Sequence, residues 1–152
     1  MNTKMLDRLF LLFFGLFLIQ SVAFAQEKAL ALDAQDPQEK QAIEATIQRY
    51  FNGGANSDIS EFKKAMHPNA YLKFISNGQY REIDMPTYYG FFKAGKKNKR
   101  ESKILSIDIT GNAAAAKIRI YTKTRIFTDY FTLLKFKEGW KIVSKTSYTI
   151  TK

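Results

Sequence analysis

The 152-residue chain contains no cysteine, one histidine and three prolines. Without cysteine there is no disulfide framework, no thiolate metal site, no cysteine nucleophile and no lipid-anchoring cysteine. With His67 as the lone imidazole, a histidine-rich metal centre is excluded and a Ser-His-Asp triad has little to be built from. The one unbroken apolar run, Leu9 to Ile19, has 11 residues, whereas a membrane-spanning helix needs roughly 20. P-loop, GxGxxG, Gly-x-Ser-x-Gly and HExxH patterns are all missing from the sequence. No metal and no cofactor is expected.

What the chain does contain is 45% hydrophobic and 14% aromatic residues, enough to build the core of one domain. Lys4 and Arg8 precede the apolar run, and the small-x-small triplet Ala23-Phe24-Ala25 follows it. This is the layout of a secretory signal peptide over residues 1–25, cut before Gln26; a retained anchor is the rival reading, disfavoured by length. The expected product is exported, periplasmic or secreted, with no stable membrane insertion after cleavage. Residues 26–36 read as a flexible leader. The formal charge of +10 attracts anions of many kinds without choosing among them. The basic loop of Lys93, Lys96, Lys97, Lys99, Arg100 and Lys103 offers neither a recognition helix nor a stacking strand, so it reads as solvated and no nucleic-acid partner is expected.

Periodicity sets out the domain. Asp36 and Pro37 can open a helix whose Ile43, Ile47, Tyr50 and Phe51 share a face, with Asn52-Gly53-Gly54 as its stop. A second helix carries Ile59, Phe62 and Met66 and is broken at His67-Pro68-Asn69. The period then becomes two: Ala70 to Ile75, an Asn77-Gly78 hairpin, and Gln79 to Ile83. A third short helix follows Asp84 and Pro86, with Met85, Tyr88, Tyr89 and Phe92 on one face. Four strands complete the chain: Leu105, Ile107 and Ile109 alternate, then Ala114, Ala116, Ile118 and Ile120, then Ile126 to Lys137, a Glu138-Gly139 turn, and Trp140 to Ile150. The order implies an α+β domain over residues 37–152, with an antiparallel sheet and a hollow between helices and sheet as the default ligand site.

This order resembles the nuclear-transport-factor-2-like superfamily, and more closely its exported "putative lumazine-binding" branch, related to the SnoaL-like cyclases. The stretches that carry the resemblance are IEATIQRYFNGGANSDISEFKKAMHPNAYL, NGQYREI, ILSIDITGNAAAAKI and FTDYFTLLKFKEGWKIVSK. It covers roughly residues 40 to 150 and implies a cone-shaped, curved sheet with three helices on its concave face. The superfamily spans enzymes, transport factors and binding modules, so the fold alone does not choose a function.

His67 stands where the resembled family tends to place a histidine before proline. It is either an acid/base or hydrogen-bonding group at the cavity rim or a turn histidine bonded to nearby backbone. Asp129, Tyr130 and Lys145 reproduce an aspartate-tyrosine pair and a lysine of that family. A hairpin centred on Glu138-Gly139 sets Asp129 opposite a residue near Tyr148 and Lys145 opposite one near Thr132, so the two charges are diagonal at best. They form either a buried functional pair in a cleft or an exposed cross-strand pair. Tyr50 and Tyr88 can line a hollow and stack on a flat ring, or simply fill core. At the strand where an isomerase-like base is implied, the chain reads Leu72-Lys73-Phe74-Ile75, with no carboxylate.

The expectation is a non-catalytic exported domain binding a small molecule through Tyr50, His67, Tyr88, Asp129 and Lys145. The alternative is a cofactor-free dehydratase, cyclase or isomerase using His67 with Asp129. A homodimer through the open sheet face, with Ala113, Ala115 and Tyr121, is a third expectation.

Overall fold

The Asp36 carboxylate accepts the Gln38 N–H at 2.8 Å and Pro37 fills the first turn, so α1 (Pro37–Asn56) starts where cap and proline direct it. The structure, a computed structural model, describes residues 36–152; the signal-peptide expectation and, Asp36 apart, that for the leader lie outside the described residues. Ile43, Ile47, Tyr50 and Phe51 are buried along α1. The helix does not stop at the glycine pair. It runs to Asn56 and ends at Ser57 in the left-handed region (φ 53°), with the Asp58 N–H donating to the Gly53 carbonyl at 2.9 Å. Close approach explains the glycines: a Cβ on Gly53 would lie 2.9 Å from Phe62 Cγ, and one on Gly54 would lie 2.3 Å from Arg100 Nη1.

Asp58 caps α2 (Ile59–Ala65), accepting the Ser60 and Glu61 N–H groups, and Phe62 and Ala65 turn inward. β1 (Met66–Ser76) begins earlier than periodicity suggests, taking in His67-Pro68-Asn69 with a register irregularity between Met66 and Tyr71. A proline cannot donate to the ladder, so it sits at such an irregularity. Asn77 and Gly78, both at positive φ, turn the chain into β2 (Gln79–Asp84). Asp84 then caps α3 (Met85–Tyr89). The remaining strands are β3 (Glu101–Thr110), β4 (Ala113–Tyr121), β5 (Arg125–Phe136) and β6 (Gly139–Thr151).

The six strands form a curved sheet in the order β2-β1-β6-β5-β4-β3, with the helices on its concave face. Four pairings are antiparallel, whereas β1 and β6 run parallel. The expected antiparallel sheet is therefore mixed. Tight hairpins make each run of neighbours antiparallel, but no hairpin joins β1 to β6, and the chain returns between them through the whole β3–β5 meander. A bulge in β3 between Ile104 and Ser106 leaves Leu105 exposed, so the simple alternation of Leu105, Ile107 and Ile109 does not hold. Ala114, Ala116, Ile118 and Ile120 do alternate inward. Ile43, Ile47 and Phe62 pack with Ile118, Phe131, Leu133 and Ile142 in the core. Each such large side chain contributes about 1.5–3 kcal/mol on burial.

Candidate functional site

Beyond this core, the inner faces of β1, β5 and β6, with α1 and α3, enclose a hollow of about 500 Å³. Strand alternation places Phe127 and Asp129 of β5 on one face, with Lys145, Ser147 and Thr149 of β6 beside them. Leu72, Phe74, Ile83 and Ile120 add apolar wall, and Phe91 and Phe92 close it beyond α3.

The β5–β6 turn falls on Lys137-Glu138 rather than Glu138-Gly139, and the register shifts between Thr132 and Leu133. Asp129 therefore pairs with Ser147, and Lys145 with Phe131, one residue from the register read in the sequence. Diagonal they are: Lys145 Nζ lies 3.2 Å from Asp129 Oδ2. The pair is not an exposed cross-strand bridge, since Asp129 is 0% and Lys145 4% exposed. Ser147 Oγ donates to Asp129 Oδ1 at 2.5 Å, while Oδ2 has the ammonium nearby but accepts no well-aligned hydrogen bond. Burial pulls the Lys145 ammonium toward neutrality, but the facing Asp129 charge outweighs it and holds its pKa above the usual lysine value.

Tyr50 and Tyr88 complete the floor. Their hydroxyls share a hydrogen bond of 2.8 Å, and the Lys145 ammonium stands 5.8 Å and 5.5 Å from the two ring centroids. Burial, with the nearby Asp129 charge, pushes both phenols well above the normal tyrosine range, so both stay protonated at neutral pH.

His67 is elsewhere. It is half-buried at the start of β1, stacks on Phe136 at 5.1 Å, and accepts the Asn69 N–H at Nδ1 over 3.2 Å. It does not line the hollow, so the structure does not bring His67 to Asp129. The Asn69 contact is local to the turn, whereas the Phe136 ring comes from the far end of β5.

Comparison with known proteins places this geometry in context. The family model described as "Putative lumazine-binding" matches residues 38–148. The chain belongs to this family. A nuclear-transport-factor-2-like protein of unknown function from Shewanella baltica superposes with a TM-score of 0.71 at 25% identity, covering 78% of this chain and 99% of that one. A second such protein of unknown function, from Methylobacillus flagellatus, gives 0.70 at 21% identity, covering 78% and 97%. A third, from Silicibacter pomeroyi, gives 0.68 at 16%, covering 78% and 100%. No curated protein matches the chain.

In this member of the family, Tyr50, Tyr88, Asp129 and Lys145 meet at the floor of one hollow. The sequence reading missed its cationic rim. Arg100, read as part of a solvated loop, turns inward against Gly54 and lies 5.9 Å from the Phe92 ring centroid. Exposed Arg125, at the start of β5, stands at the mouth. Neither has a distinguishing spacing in the sequence, and the glycine pair that makes room for Arg100 reads there as a helix stop. Among the described residues, no group of three His, Asp or Glu is placed to hold a metal ion, and no helix is long and apolar enough to cross a membrane.

Proposed function

We propose that this protein is an exported, non-catalytic binding domain that holds a small molecule with a flat, largely apolar body between its helices and sheet. The observation that carries this reading is the hollow itself. Its volume falls within the range of ligand pockets, its walls are aromatic and aliphatic, and its buried polar groups gather at one end as an orienting set. The description of the family, which names a flat heterocycle, supports the same class of ligand. Export rests on the charged start, apolar run and Ala-x-Ala site of residues 1–25.

A binding role fits the floor better than proton transfer does. Asp129 is engaged by Lys145 and Ser147, both tyrosines hold their protons, and His67 is absent from the hollow. The test is native mass spectrometry of the exported chain purified from its own compartment. A retained small molecule is the expected result. An empty chain that flat-ring compounds also fail to stabilise thermally would overturn the reading.

The outer face of the sheet supports a second element of the proposal, self-association. Tyr130, Leu134, Tyr148 and Ile150 are exposed on β5 and β6, beside Ala113 and Ala115 of β4. A second copy would bury this surface. Sedimentation that finds a dimer, converted to monomer by Tyr130→Glu, is the expected outcome, and a wild-type monomer removes it.

A further inference from the structure

We propose that the ligand of this hollow is an amphipathic organic anion, with the Arg100 guanidinium receiving its carboxylate, sulfonate or phosphate oxygens and the aromatic walls receiving its ring. The proposal rests on the binding reading above and adds the charge of the ligand and its anchor.

Four charged side chains face the hollow: Asp129, Lys145, Arg100 and Arg125. Asp129 and Lys145 neutralise each other, leaving two arginines uncompensated. Arg100 has no carboxylate partner among the described residues, and its buried Nε donates to nothing. A buried donor without an acceptor is costly, yet the fold is shaped to keep this one in place. The Asn98 N–H donates to the Ala55 carbonyl at 2.6 Å, and Asn98 Nδ2 donates to the Gly54 carbonyl and to Ser57 Oγ, each at 3.0 Å. These bonds pin the loop to the end of α1. The missing Cβ of Gly54 then leaves room for the guanidinium, whose fork suits two anionic oxygens. Lys93 and Lys96 line a smaller hollow on the other side of Arg100, adding to the positive field without entering the larger one. The remaining titratable groups facing the site, Tyr50 and Tyr88, are neutral donors.

The test uses two fluorescent probes with the same ring system, titrated into the purified exported chain. They are 8-anilinonaphthalene-1-sulfonate, an anion, and N-phenyl-1-naphthylamine, which lacks the sulfonate. The anion is expected to bind at least tenfold more tightly, a difference of about 1.4 kcal/mol. Arg100→Gln should abolish that preference while leaving the affinity for the neutral probe within about twofold. Gly54→Ala, which crowds Arg100 without removing its charge, should reduce the preference in a protein that melts no lower than wild type. Lys97→Gln with Lys99→Gln, on the exposed loop, should leave the preference intact. Equal binding of both probes, or a preference lost with the loop lysines instead of Arg100, overturns the inference but not the binding reading. Failure of both probes to bind overturns both.

Discussion

Lys145 reaches diagonally across the β5–β6 ladder to place its ammonium 3.2 Å from the Asp129 carboxylate, with both side chains closed off from solvent. Breaking a buried pair leaves one uncompensated charge, which costs more than the pair itself contributes. Lys145→Met is therefore expected to destabilise the domain by about 3–5 kcal/mol. The double variant Asp129→Leu with Lys145→Met should recover most of that loss. Urea denaturation of the two single variants and the double variant gives the coupling directly. Additive losses would mean that the charges do not depend on one another.

Alkaline pH provides a second check. Lys145 has a folded pKa above its unfolded value of 10.5, so its contribution is complete below that value and is lost as pH rises through the folded pKa. Tyr50 and Tyr88 act with the same sign: the unfolded chain releases their protons near pH 10.0, before the folded chain can. The urea midpoint should therefore fall steeply above about pH 10, after little change from these three groups across about pH 6–9. Tyr88→Phe should lower stability at neutral pH, since it leaves the Tyr50 hydroxyl without this partner, and should make the alkaline fall shallower.

The glycine pair of α1 should divide into two different outcomes. A Cβ on Gly53 meets the buried Phe62 ring at 2.9 Å and 3.0 Å, where nothing flexible can yield. Gly53→Ala should cost about 1–3 kcal/mol through overpacking. On Gly54 the obstacle is the far end of Arg100, and alanine is the better helix former by up to about 1 kcal/mol. Gly54→Ala should therefore match or exceed wild type in melting temperature. Equal losses at the two positions would contradict the distinction.

His67→Ala should leave the affinity for any ligand of the hollow within about twofold, because its ring packs on Phe136 and its Nδ1 serves the Asn69 N–H. The expected stability change is about 0.5–1.5 kcal/mol, the size of an aromatic pair. A tenfold loss of affinity by calorimetry would put His67 in the site.

Much of this molecule was legible in one dimension because its signals are local. Asp36 with Pro37 and Asp84 with Pro86 each start a helix through a hydrogen bond or φ restriction within three residues. Asn77-Gly78 forms its turn for the same kind of reason, and the alternation of Ala114, Ala116, Ile118 and Ile120 is a property of the strand itself. Tyr50 and Tyr88 could be singled out by type, and Asp129 and Lys145 by their place on the last two strands and by the family resemblance, but whether the four met could not be read.

That depended on tertiary structure. The turn at Lys137-Glu138 and the register shift near Thr132 set which residues of β6 face Asp129, and a one-residue slip in a strand exchanges its two faces. The parallel β1–β6 pairing, which sets Leu72 beside Lys145, joins segments about 70 residues apart that no local turn constrains. Arg100 turns inward because Gly54, 46 positions earlier, leaves space for it and Asn98 ties the loop there. Caps, turns and alternation act over a few residues, so composition and order determine them; burial, charge pairing and the hollow arise from contacts between distant segments, and only the folded chain decides those.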